Sequence, residues 1–348
     1  MAGKVFVTRP IPEAGPELLR NAGVELQVWD GPDDARPAPS EVIEGARWAD
    51  VLLSLLTEPV DEEVMTANPG LLGVANYAVG YDNIDVEAAT ELGIPVSNTP
   101  RVLTETTADL AWALLLAVSR NVVRGDEYMR AGRYKVWGPK LLLGEDVSLG
   151  GDNRRKVLGI VGFGRIGQAV AKRSVGFDMR VLAHDPYARE EIEASEIAEW
   201  ADLDHLLEES DFVTLHTLLT EETRHLIGAR ELDLMKPTAY LINAARGPII
   251  DEKALVEALN QGEIAGAGLD VYEEEPEMAP GLAELDNTVL LPHLGSATRG
   301  TRDRMATMAA SNALAMLRGE RAPNCVNPAV YETEAYGRRR RDAEGNED

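Results

Sequence analysis

Three side chains in the second half of this 348-residue sequence could bind an anion and move a proton: Arg246, Glu275 and His293. A guanidinium can hold a carboxylate through two parallel hydrogen bonds. An imidazole titrates near neutral pH and can give and take a proton, and an acid beside it would orient it and stabilise its protonated form. The interconversion of a 2-keto acid and a 2-hydroxy acid needs such a cation and such a proton donor, together with a hydride carrier.

Each of these residues also has an ordinary structural interpretation. Arg246 could be a surface arginine in a turn, Glu275 one more solvated carboxylate in the acidic stretch 273–275, and His293 the cap of a strand. The chemical interpretation is favoured by their shared position, because each follows a predicted strand. Ligands of open α/β sheets bind at the carboxyl ends of the strands, so neighbouring strands would bring all three side chains to one crevice.

A glycine-rich turn could hold the hydride carrier. Residues 162–167 read Gly-Phe-Gly-Arg-Ile-Gly, after the predicted strand Val157–Val161 and at the start of the predicted helix Ile166–Ser174. Such a motif is a weak signal by itself, but here it has the strand before it and the helix after it that a dinucleotide site needs.

The residues of this turn have separate roles in that interpretation. Gly162 permits the tight turn, Gly164 leaves room for a pyrophosphate, and Gly167 lets the helix approach the strand. The backbone amides of Arg165 and Ile166 would point at the phosphates, whose charge the helix dipole favours.

Asp185 ends the next predicted strand, Arg180–His184. A carboxylate at this position accepts hydrogen bonds from the ribose hydroxyls of the adenosine half, and it would repel a 2′-phosphate. We therefore expect NAD as the cofactor, with NADH preferred over NADPH. The alternative is an exposed Asp-Pro turn without a ligand.

The elements that must position these residues alternate between strand and helix patterns in two blocks. In the first block, strands are predicted at Lys4–Thr8, Val24–Trp29, Val51–Leu56, Leu71–Asn76 and Ile94–Asn98, and helices at Glu13–Asn21, Ser40–Ala46, Asp61–Ala67 and Asp85–Leu92. After a long helix at Thr107–Val123, strands are predicted at Val157–Val161, Arg180–His184, Phe212–His216, Ala239–Asn243, Gly266–Asp270 and Val289–Pro292, and helices at Ile166–Ser174, Leu203–Glu208, Ala229–Leu234 and Glu252–Asn260. This alternation predicts parallel sheets with helices on both faces, and the second block is a six-strand doubly wound pattern.

The end of the chain does not continue the alternation. A helix predicted at Thr301–Leu317 has no strand after it, so the simplest expectation is that it returns to the first domain. The polar tail 331–348, which contains the run Arg338–Arg341, is expected to be disordered.

Composition excludes several other classes of protein. With 34 basic and 59 acidic residues the formal charge is −25, and such a surface repels nucleic acid. The single cysteine, Cys325, excludes an internal disulfide and a cysteine metal cluster, and we expect no metal. The apolar run Val51–Leu56 is too short to cross a bilayer, and residues 1–10 lack the zones of a secretory signal. We therefore expect a cytoplasmic protein without a membrane partner.

The sequence resembles the D-isomer-specific 2-hydroxyacid dehydrogenases, and within them the glyoxylate/hydroxypyruvate reductases. The resemblance covers roughly residues 3–328 and rests on the stretches 76–85, 161–167, 243–247, 269–276 and 291–295. It implies that the catalytic arginine, glutamate and histidine of the family correspond to Arg246, Glu275 and His293. The family's glutamate directly precedes a proline, which selects Glu275.

The resemblance also implies binding residues and a partner. It implies cofactor contacts at Gly162, Gly164, Arg165, Ile166, Gly167, Asp185, Thr217, Ala244, Arg246, Asp270, His293 and Gly295, and at Thr107 beside the nicotinamide. The backbone amides of Val79 and Gly80 would hold the substrate carboxylate together with Arg246. A homodimer is implied, in which Trp137 reaches into the active site of the partner.

The domain organisation implied by the resemblance is discontinuous. Residues 105–298 would form the NAD-binding Rossmann domain. Residues 1–104 and 299–330, from both chain ends, would form a smaller flavodoxin-like α/β substrate domain.

The expected substrate is a small 2-keto acid. The loops that should face it, Leu53–Glu58 and Asn76–Tyr81, contain no arginine or lysine, whereas a phosphorylated acid would need a second cation there. We expect NAD(P)H-dependent reduction of glyoxylate or hydroxypyruvate to the D-2-hydroxy acid, with His293 as the general acid and base. The alternatives are another enzyme of the family, such as a D-3-phosphoglycerate dehydrogenase, and an NADH-sensing protein that resembles the transcriptional corepressors.

Overall fold

The structure, a computed structural model, describes residues 3–32, 34–151 and 153–345. The described strands are β1 (Lys4–Val7), β2 (Glu25–Val28), β3 (Val51–Ser54), β4 (Gly73–Asn76), β5 (Val96–Ser97), β6 (Val157–Val161), β7 (Arg180–His184), β8 (Ala198–Trp200), β9 (Phe212–Leu215), β10 (Tyr240–Asn243), β11 (Gly266–Leu269) and β12 (Thr288–Leu290). The described α-helices are α1 (Ala14–Asn21), α2 (Pro39–Trp48), α3 (Glu62–Thr66), α4 (Val86–Glu91), α5 (Thr104–Ser119), α6 (Val122–Arg130), α7 (Arg165–Ser174), α8 (Arg189–Glu193), α9 (Leu203–Glu209), α10 (Ala229–Leu234), α11 (Glu252–Gln261), α12 (Arg299–Leu317) and α13 (Glu334–Gly345).

The chain divides into two compact units. One comprises both chain ends, Met1–Leu103 and Ala297–Asp348, and the other comprises Thr104–Ser296. Both are built on parallel sheets, so the predicted α/β class is confirmed.

The first unit contains a five-stranded sheet in the order β2-β1-β3-β4-β5, which is the flavodoxin-like order. All four residues of the central strand β3 are buried, as expected for a parallel strand covered on both faces. Helix α12 belongs to this unit, as expected, and packs against α1. Gly15 in α1 lies so close to it that a Cβ on this glycine would be 2.8 Å from the carbonyl oxygen of Ala306.

The second unit contains a seven-stranded sheet in the order β12-β11-β10-β9-β6-β7-β8. The chain winds in both directions from β6, so the crevice at the carboxyl ends of β6 and β9 is the topological switch point of a Rossmann fold. The prediction of six strands was wrong by one. Strand β8 has three residues and pairs only with β7 at the edge of the sheet, and so short a strand has no readable alternation.

The long helix of the second unit also differs from its prediction. Helix α5 ends at Ser119, and α6 begins at Val122. Between them Asn121 adopts a left-handed backbone with φ of 54°, which a continuous helix cannot contain. Asparagine tolerates this conformation better than most residues, and it separates two helices where the apolar pattern indicated one.

The expectation of a disordered tail is wrong for the described part of that segment. Residues Pro328–Glu332 form a 3₁₀ turn and α13 follows. Arg339 donates hydrogen bonds to the carbonyl oxygens of Leu92 at 3.1 Å, Pro69 at 2.7 Å and Leu71 at 2.8 Å. Since Leu92 is the C-cap residue of α4, the guanidinium satisfies a free carbonyl at the end of that helix, a contact that the charge pattern of the tail could not reveal. Residues 346–348 of the predicted tail lie outside the described residues.

Arg339 is therefore expected to stabilise the first unit. Arg339→Ala should lower the free energy of unfolding by about 1–3 kcal/mol, because three carbonyl oxygens lose a charged donor. Urea denaturation followed by circular dichroism measures the change. The matched control is Arg338→Ala, since Arg338 is exposed and its removal should change stability by less than about 0.5 kcal/mol. Equal effects of the two variants would contradict the role given to Arg339.

Candidate active site

The glycine-rich turn between β6 and α7 has the geometry of a dinucleotide site. Gly162 has φ of 92°, and a Cβ on it would lie 2.6 Å from backbone atoms of His216 and Thr217. A Cβ on Gly167 would lie 2.1 Å from the carbonyl oxygen of Gly162, so the helix touches the turn. At Gly164, by contrast, no described atom lies within 4 Å of the Cβ position. The opening at Gly164 leaves room for a pyrophosphate.

The start of α7 faces this opening. Its N-cap is Gly164, which has no side chain to cap the first amides. The first N–H groups of a helix lack intrahelical acceptors, so those of Arg165 and Ile166 are available to an anion. Thr217, two residues after β9, lies against the same turn through its backbone.

Asp185 lies at the carboxyl end of β7, beside the same turn. Its carboxylate accepts hydrogen bonds from the backbone N–H groups of Phe163 at 2.8 Å and Tyr187 at 3.0 Å. A carboxylate has about four acceptor positions, so it can still accept ribose hydroxyls. The next cation along the chain, Arg189, lies over the ring of Trp200 at 3.9 Å. The guanidinium of Arg189 is therefore stacked on the indole ring of Trp200.

The imidazole of His293 and the carboxylate of Glu275 form a hydrogen-bonded pair. Nδ1 of His293 lies 3.0 Å from Oε2 of Glu275, and Oε1 accepts a hydrogen bond from the backbone N–H of Tyr272 at 3.1 Å. The two side chains are 28% and 29% exposed. Since Glu275 engages Nδ1, Nε2 is the nitrogen that can exchange a proton with a substrate.

The electrostatic environment keeps Glu275 ionised. Burial alone would raise the pKa of Glu275, but the hydrogen bond and charge of His293, the amide of Tyr272 and the charge of Arg246 together hold it below its ordinary value of 4.5. The ionised carboxylate accepts a hydrogen bond from Nδ1 of His293 and so fixes the orientation of the imidazole.

Arg246 follows β10, and its turn is fixed on both sides. Buried Asn243 donates to the carbonyl oxygen of Arg246 at 2.8 Å and accepts from the N–H of Ala245 at 3.0 Å. Gly247 touches the loop after β11, because a Cβ on it would lie 1.8 Å from the carbonyl oxygen of Tyr272. Only glycine permits this approach, which brings the turn of Arg246 against the loop that carries Glu275.

The three residues proposed for the chemistry follow neighbouring strands of one sheet. Arg246, Glu275 and His293 follow β10, β11 and β12, which are adjacent in the sheet. The hydrogen-bonded pair of His293 and Glu275 and the turn of Arg246 therefore lie at one edge of this sheet.

The turn after β12 is held by a buried acid. Asp270 is 1% exposed and accepts hydrogen bonds from the N–H groups of Leu294 at 2.6 Å and Gly295 at 2.8 Å. Burial raises the pKa of Asp270, although the Leu294 amide and the charge of His293 oppose this. Thr107 donates to the carbonyl oxygen of Gly295 at 3.2 Å. These contacts hold His293 in a left-handed backbone with φ of 54°, a conformation that is costly for a non-glycine residue.

The other residues implied by the resemblance lie at three places. Ala244 directly follows β10, at the same sheet edge as Asp270. Val79 and Gly80 follow β4 in the first unit. Trp137 lies outside the His293 cluster, in the chain after α6, and is 70% exposed.

Two glutamates that hold the loop of Glu275 were not predicted from the sequence. Glu252 is 4% exposed and accepts hydrogen bonds from the N–H groups of Glu273 at 2.7 Å and Ala279 at 2.8 Å. Glu273 in turn accepts a hydrogen bond from Nε2 of His225 at 2.5 Å. These contacts fix the loop that carries Glu275. An acidic run does not reveal which of its members is bonded inside the protein.

None of the described helices is both long and apolar enough to span a bilayer. In the same part of the chain, no group of three or more histidine, cysteine, aspartate or glutamate side chains could hold a metal ion.

Known proteins share this sequence and architecture. Residues 112–295 match the family model of the D-isomer specific 2-hydroxyacid dehydrogenase, NAD binding domain. The chain is 52% identical to a glyoxylate reductase of Korarchaeum cryptofilum over 97% of this chain and 99% of the relative. The crystal structure of the TT0316 protein from Thermus thermophilus superposes with a TM-score of 0.84 at 45% identity, covering 93% of this chain and 99% of that one.

A further similar structure is that of a complex with a cofactor and a small acid. It is an NADPH-dependent glyoxylate/hydroxypyruvate reductase from Sinorhizobium meliloti in complex with NADP and malonate. Its TM-score is 0.80 at 31% identity, with 94% of this chain and 98% of that chain covered.

Proposed function

The chain belongs to the D-isomer-specific 2-hydroxyacid dehydrogenases, an oxidoreductase family, and we propose that it reduces glyoxylate, hydroxypyruvate or a similarly small 2-keto acid to the D-2-hydroxy acid. The observation that carries this proposal is the pair of His293 and Glu275 at 3.0 Å, beside the turn of Arg246 in one sheet edge. The relative from Korarchaeum cryptofilum, named a glyoxylate reductase, supports the choice of substrate.

Each of the three residues has one task in the proposed reaction. A bound nicotinamide supplies the hydride for the keto carbon. Nε2 of His293 gives its proton to the carbonyl oxygen, and in the reverse direction it takes that proton back. Glu275 holds Nδ1 and stabilises the protonated ring, while the guanidinium of Arg246 holds the substrate carboxylate.

The size of the substrate follows from the absence of further cations. In the sequence, the loops 53–58 and 76–81 contain no arginine or lysine, so a phosphate group would lack a charged partner there. This favours glyoxylate and hydroxypyruvate over 3-phosphohydroxypyruvate.

A steady-state panel of these 2-keto acids with NADH and NADPH tests the proposal. We expect loss of reduced-cofactor absorbance with glyoxylate and hydroxypyruvate, and a much lower kcat/KM with the phosphorylated acid. A preference for the phosphorylated acid would contradict the substrate assignment. Tight NADH binding without turnover of any 2-keto acid would favour the NADH-sensing alternative.

NADH is the proposed cofactor, on the strength of Asp185. Its carboxylate would lie beside the 2′-position of the ribose, where a phosphate is repelled. Cofactor choice varies among similar proteins, since the Sinorhizobium meliloti reductase is NADPH-dependent.

Asp185→Ala is expected to relax this preference. The ratio of kcat/KM for NADH to that for NADPH should fall by about tenfold or more, because a repulsion between like charges is removed. Initial rates with each cofactor at a fixed keto-acid concentration give the ratio. Asp233→Ala removes an exposed aspartate of α10 and should leave the ratio unchanged. An unchanged ratio in Asp185→Ala would show that another residue makes the choice.

A homodimer is the proposed assembly. Helix α6 and the chain after it expose large apolar side chains, among them Val122, Val136, Trp137 and Leu143, which are 56–79% exposed. An apolar surface of this kind is typical of a protein–protein interface. In the proposed dimer, Trp137 borders the substrate site of the partner subunit.

This assembly has two measurable consequences. Sedimentation should give a particle of twice the 37.8 kDa chain mass. Trp137→Ala should raise the KM for the keto acid about tenfold, since a large aromatic contact is lost, while the Kd for NADH stays unchanged. A monomeric wild type, or an unchanged KM in the variant, would contradict the proposal.

A further inference from the structure

The side chain of Glu252 is buried at the start of α11 and is bonded through both carboxylate oxygens. The residue is 4% exposed. Oε2 accepts a hydrogen bond from the backbone N–H of Glu273 at 2.7 Å, and Oε1 accepts one from the backbone N–H of Ala279 at 2.8 Å. Glu252 therefore holds both ends of the segment 273–279, which contains Glu275. We call this arrangement the Glu252 clamp.

A return contact fixes the clamp from the side of the loop. The backbone N–H of Glu252 donates to Oε2 of Glu273 at 3.4 Å, and Oε1 of the same carboxylate lies 2.5 Å from Nε2 of His225. The backbone N–H of His225 donates in turn to the carbonyl oxygen of Pro248 at 2.8 Å. The start of α11, the loop after β11 and the segment around His225 are thus joined to one another.

Tyr272, directly before the clamped segment, has a contact toward each of the three side chains of the proposed reaction. Its backbone N–H donates to Oε1 of Glu275 at 3.1 Å. Its phenol hydroxyl donates at 2.9 Å to the carbonyl oxygen of Leu291, two residues before His293. Its own carbonyl group lies against Gly247, the residue after the proposed carboxylate-binding arginine. The position of Tyr272 therefore affects all three side chains together.

Burial makes the contacts of the clamp hard to replace. Tyr272 is 9% exposed, so both residues lie away from bulk water. A buried N–H group that loses its acceptor keeps the cost of its desolvation. The backbone at the start of α11 is itself fixed, because the N-cap residue Asp251 accepts a hydrogen bond from the N–H of Ala254 at 3.1 Å. A change in the side chain of Glu252 is therefore passed on to the segment 273–279.

We infer that Glu252 and Tyr272 are positioning residues that hold Glu275 in place beside His293 and the turn of Arg246. The inference rests on the proposed function, because the step that they support is proton transfer to a 2-keto acid. Both act through other groups, since the Glu275 carboxylate must stay on Nδ1 of the imidazole while Nε2 exchanges the proton. A misplacement of about 1 Å can lower the rate of a reaction about 10²-fold, even when its cause lies away from the substrate.

Glu252→Gln tests the clamp by a split between kcat and KM. The variant keeps the size of the side chain but replaces one acceptor oxygen by an NH₂ group, so one of the two backbone N–H groups loses its acceptor. The kcat for glyoxylate should fall about 10–100-fold, while KM and the Kd for NADH stay within about twofold of the wild type. Rates are expressed per NADH-binding site, so an unfolded fraction does not contribute. The matched control is Glu257→Gln, on the exposed face of α11, which should be fully active.

A double-mutant cycle shows whether Glu252 acts through Glu275. In the Glu275→Ala background, Glu252→Gln should lower kcat by less than about twofold, because the side chain that the clamp positions is already absent. Independent roles would instead multiply the two losses, and that result would overturn the inference. Full activity of the single Glu252→Gln variant would overturn it as well.

Tyr272→Phe decides the inference if Glu252→Gln does not fold. This variant removes only the hydroxyl group and with it the hydrogen bond to the carbonyl oxygen of Leu291. The kcat should fall about three- to tenfold at an unchanged Kd for NADH, since one buried hydrogen bond is lost beside His293. A wild-type kcat in the folded variant would contradict the inference.

Hydrogen exchange gives a readout that needs no turnover. The backbone amides of Glu273 and Ala279 should exchange about tenfold faster in Glu252→Gln than in the wild type or in Glu257→Gln, as measured by mass spectrometry of peptides from this loop. Unchanged exchange together with an unchanged kcat would overturn the inference while the proposed function stands. If the wild type reduces no 2-keto acid, the proposed function fails, and faster exchange in Glu252→Gln still supports the clamp.

Discussion

Replacement of His293 by alanine is expected to lower kcat by about 10²–10⁴-fold, the usual contribution of a general acid. The Kd for NADH should stay near its wild-type value, because the glycine turn and Asp185, which would bind the dinucleotide, are unchanged. Glu275 would then have no imidazole to orient, and water would have to protonate the carbonyl oxygen. Steady-state rates with glyoxylate, together with NADH fluorescence titration, separate the two quantities.

A second variant tests whether the fall in kcat arises from the lost proton donor or from a change in the backbone conformation at residue 293. His293 has φ of 54°, and asparagine tolerates this left-handed region better than alanine does. His293→Asn should therefore retain the turn and still lose the activity. His205→Ala, which removes an exposed histidine of α9, is the control and should be fully active. Full activity in either His293 variant would mean that another group supplies the proton.

Arg246→Ala is expected to produce the second large effect, a fall in kcat/KM of about 10²–10³-fold. The variant loses a bidentate, charge-assisted contact with the substrate carboxylate, so KM should rise. Because the same contact aligns the keto carbon for hydride transfer, kcat should fall as well. Arg246→Lys should recover only part of the rate, since an ammonium group cannot form two parallel hydrogen bonds.

The control for Arg246 is another arginine of the same unit. Arg230 is exposed on α10 and pairs with Asp204 at 2.8 Å, outside the turn of Arg246. Arg230→Ala should leave kcat/KM unchanged. An Arg246→Ala enzyme with the wild-type KM would show that other groups hold the carboxylate.

Much of the fold was predictable because each buried parallel strand is a short apolar run that can be recognised from neighbouring residues alone. Runs such as Val157–Val161 are continuous and apolar, and glycine turns or helix patterns delimit them. Strand β8 was not predictable, since three residues are too few to show an alternation of apolar and polar side chains. The break at Asn121 was not predictable either, because an asparagine tolerates a left-handed backbone but does not require it. Arg339 escaped prediction because its acceptors lie more than 240 residues earlier in the chain.

The site was predictable to a similar extent, for a similar reason. Arg246, Glu275 and His293 could be recognised by their places after strands, which a sequence shows. The residues that hold them could not. Glu252 resembles any acid at the start of a helix, and its hydrogen bonds from the N–H groups of Glu273 and Ala279 join segments that only the folded chain brings together.

The most direct test of the account is the product formed from hydroxypyruvate and NADH by the wild-type enzyme. If Arg246, Glu275 and His293 act together on a bound 2-keto acid, each NADH oxidised should yield one molecule of D-glycerate, measured by chiral chromatography. Formation of L-glycerate, or NADH that is bound but never oxidised by any 2-keto acid, would contradict it.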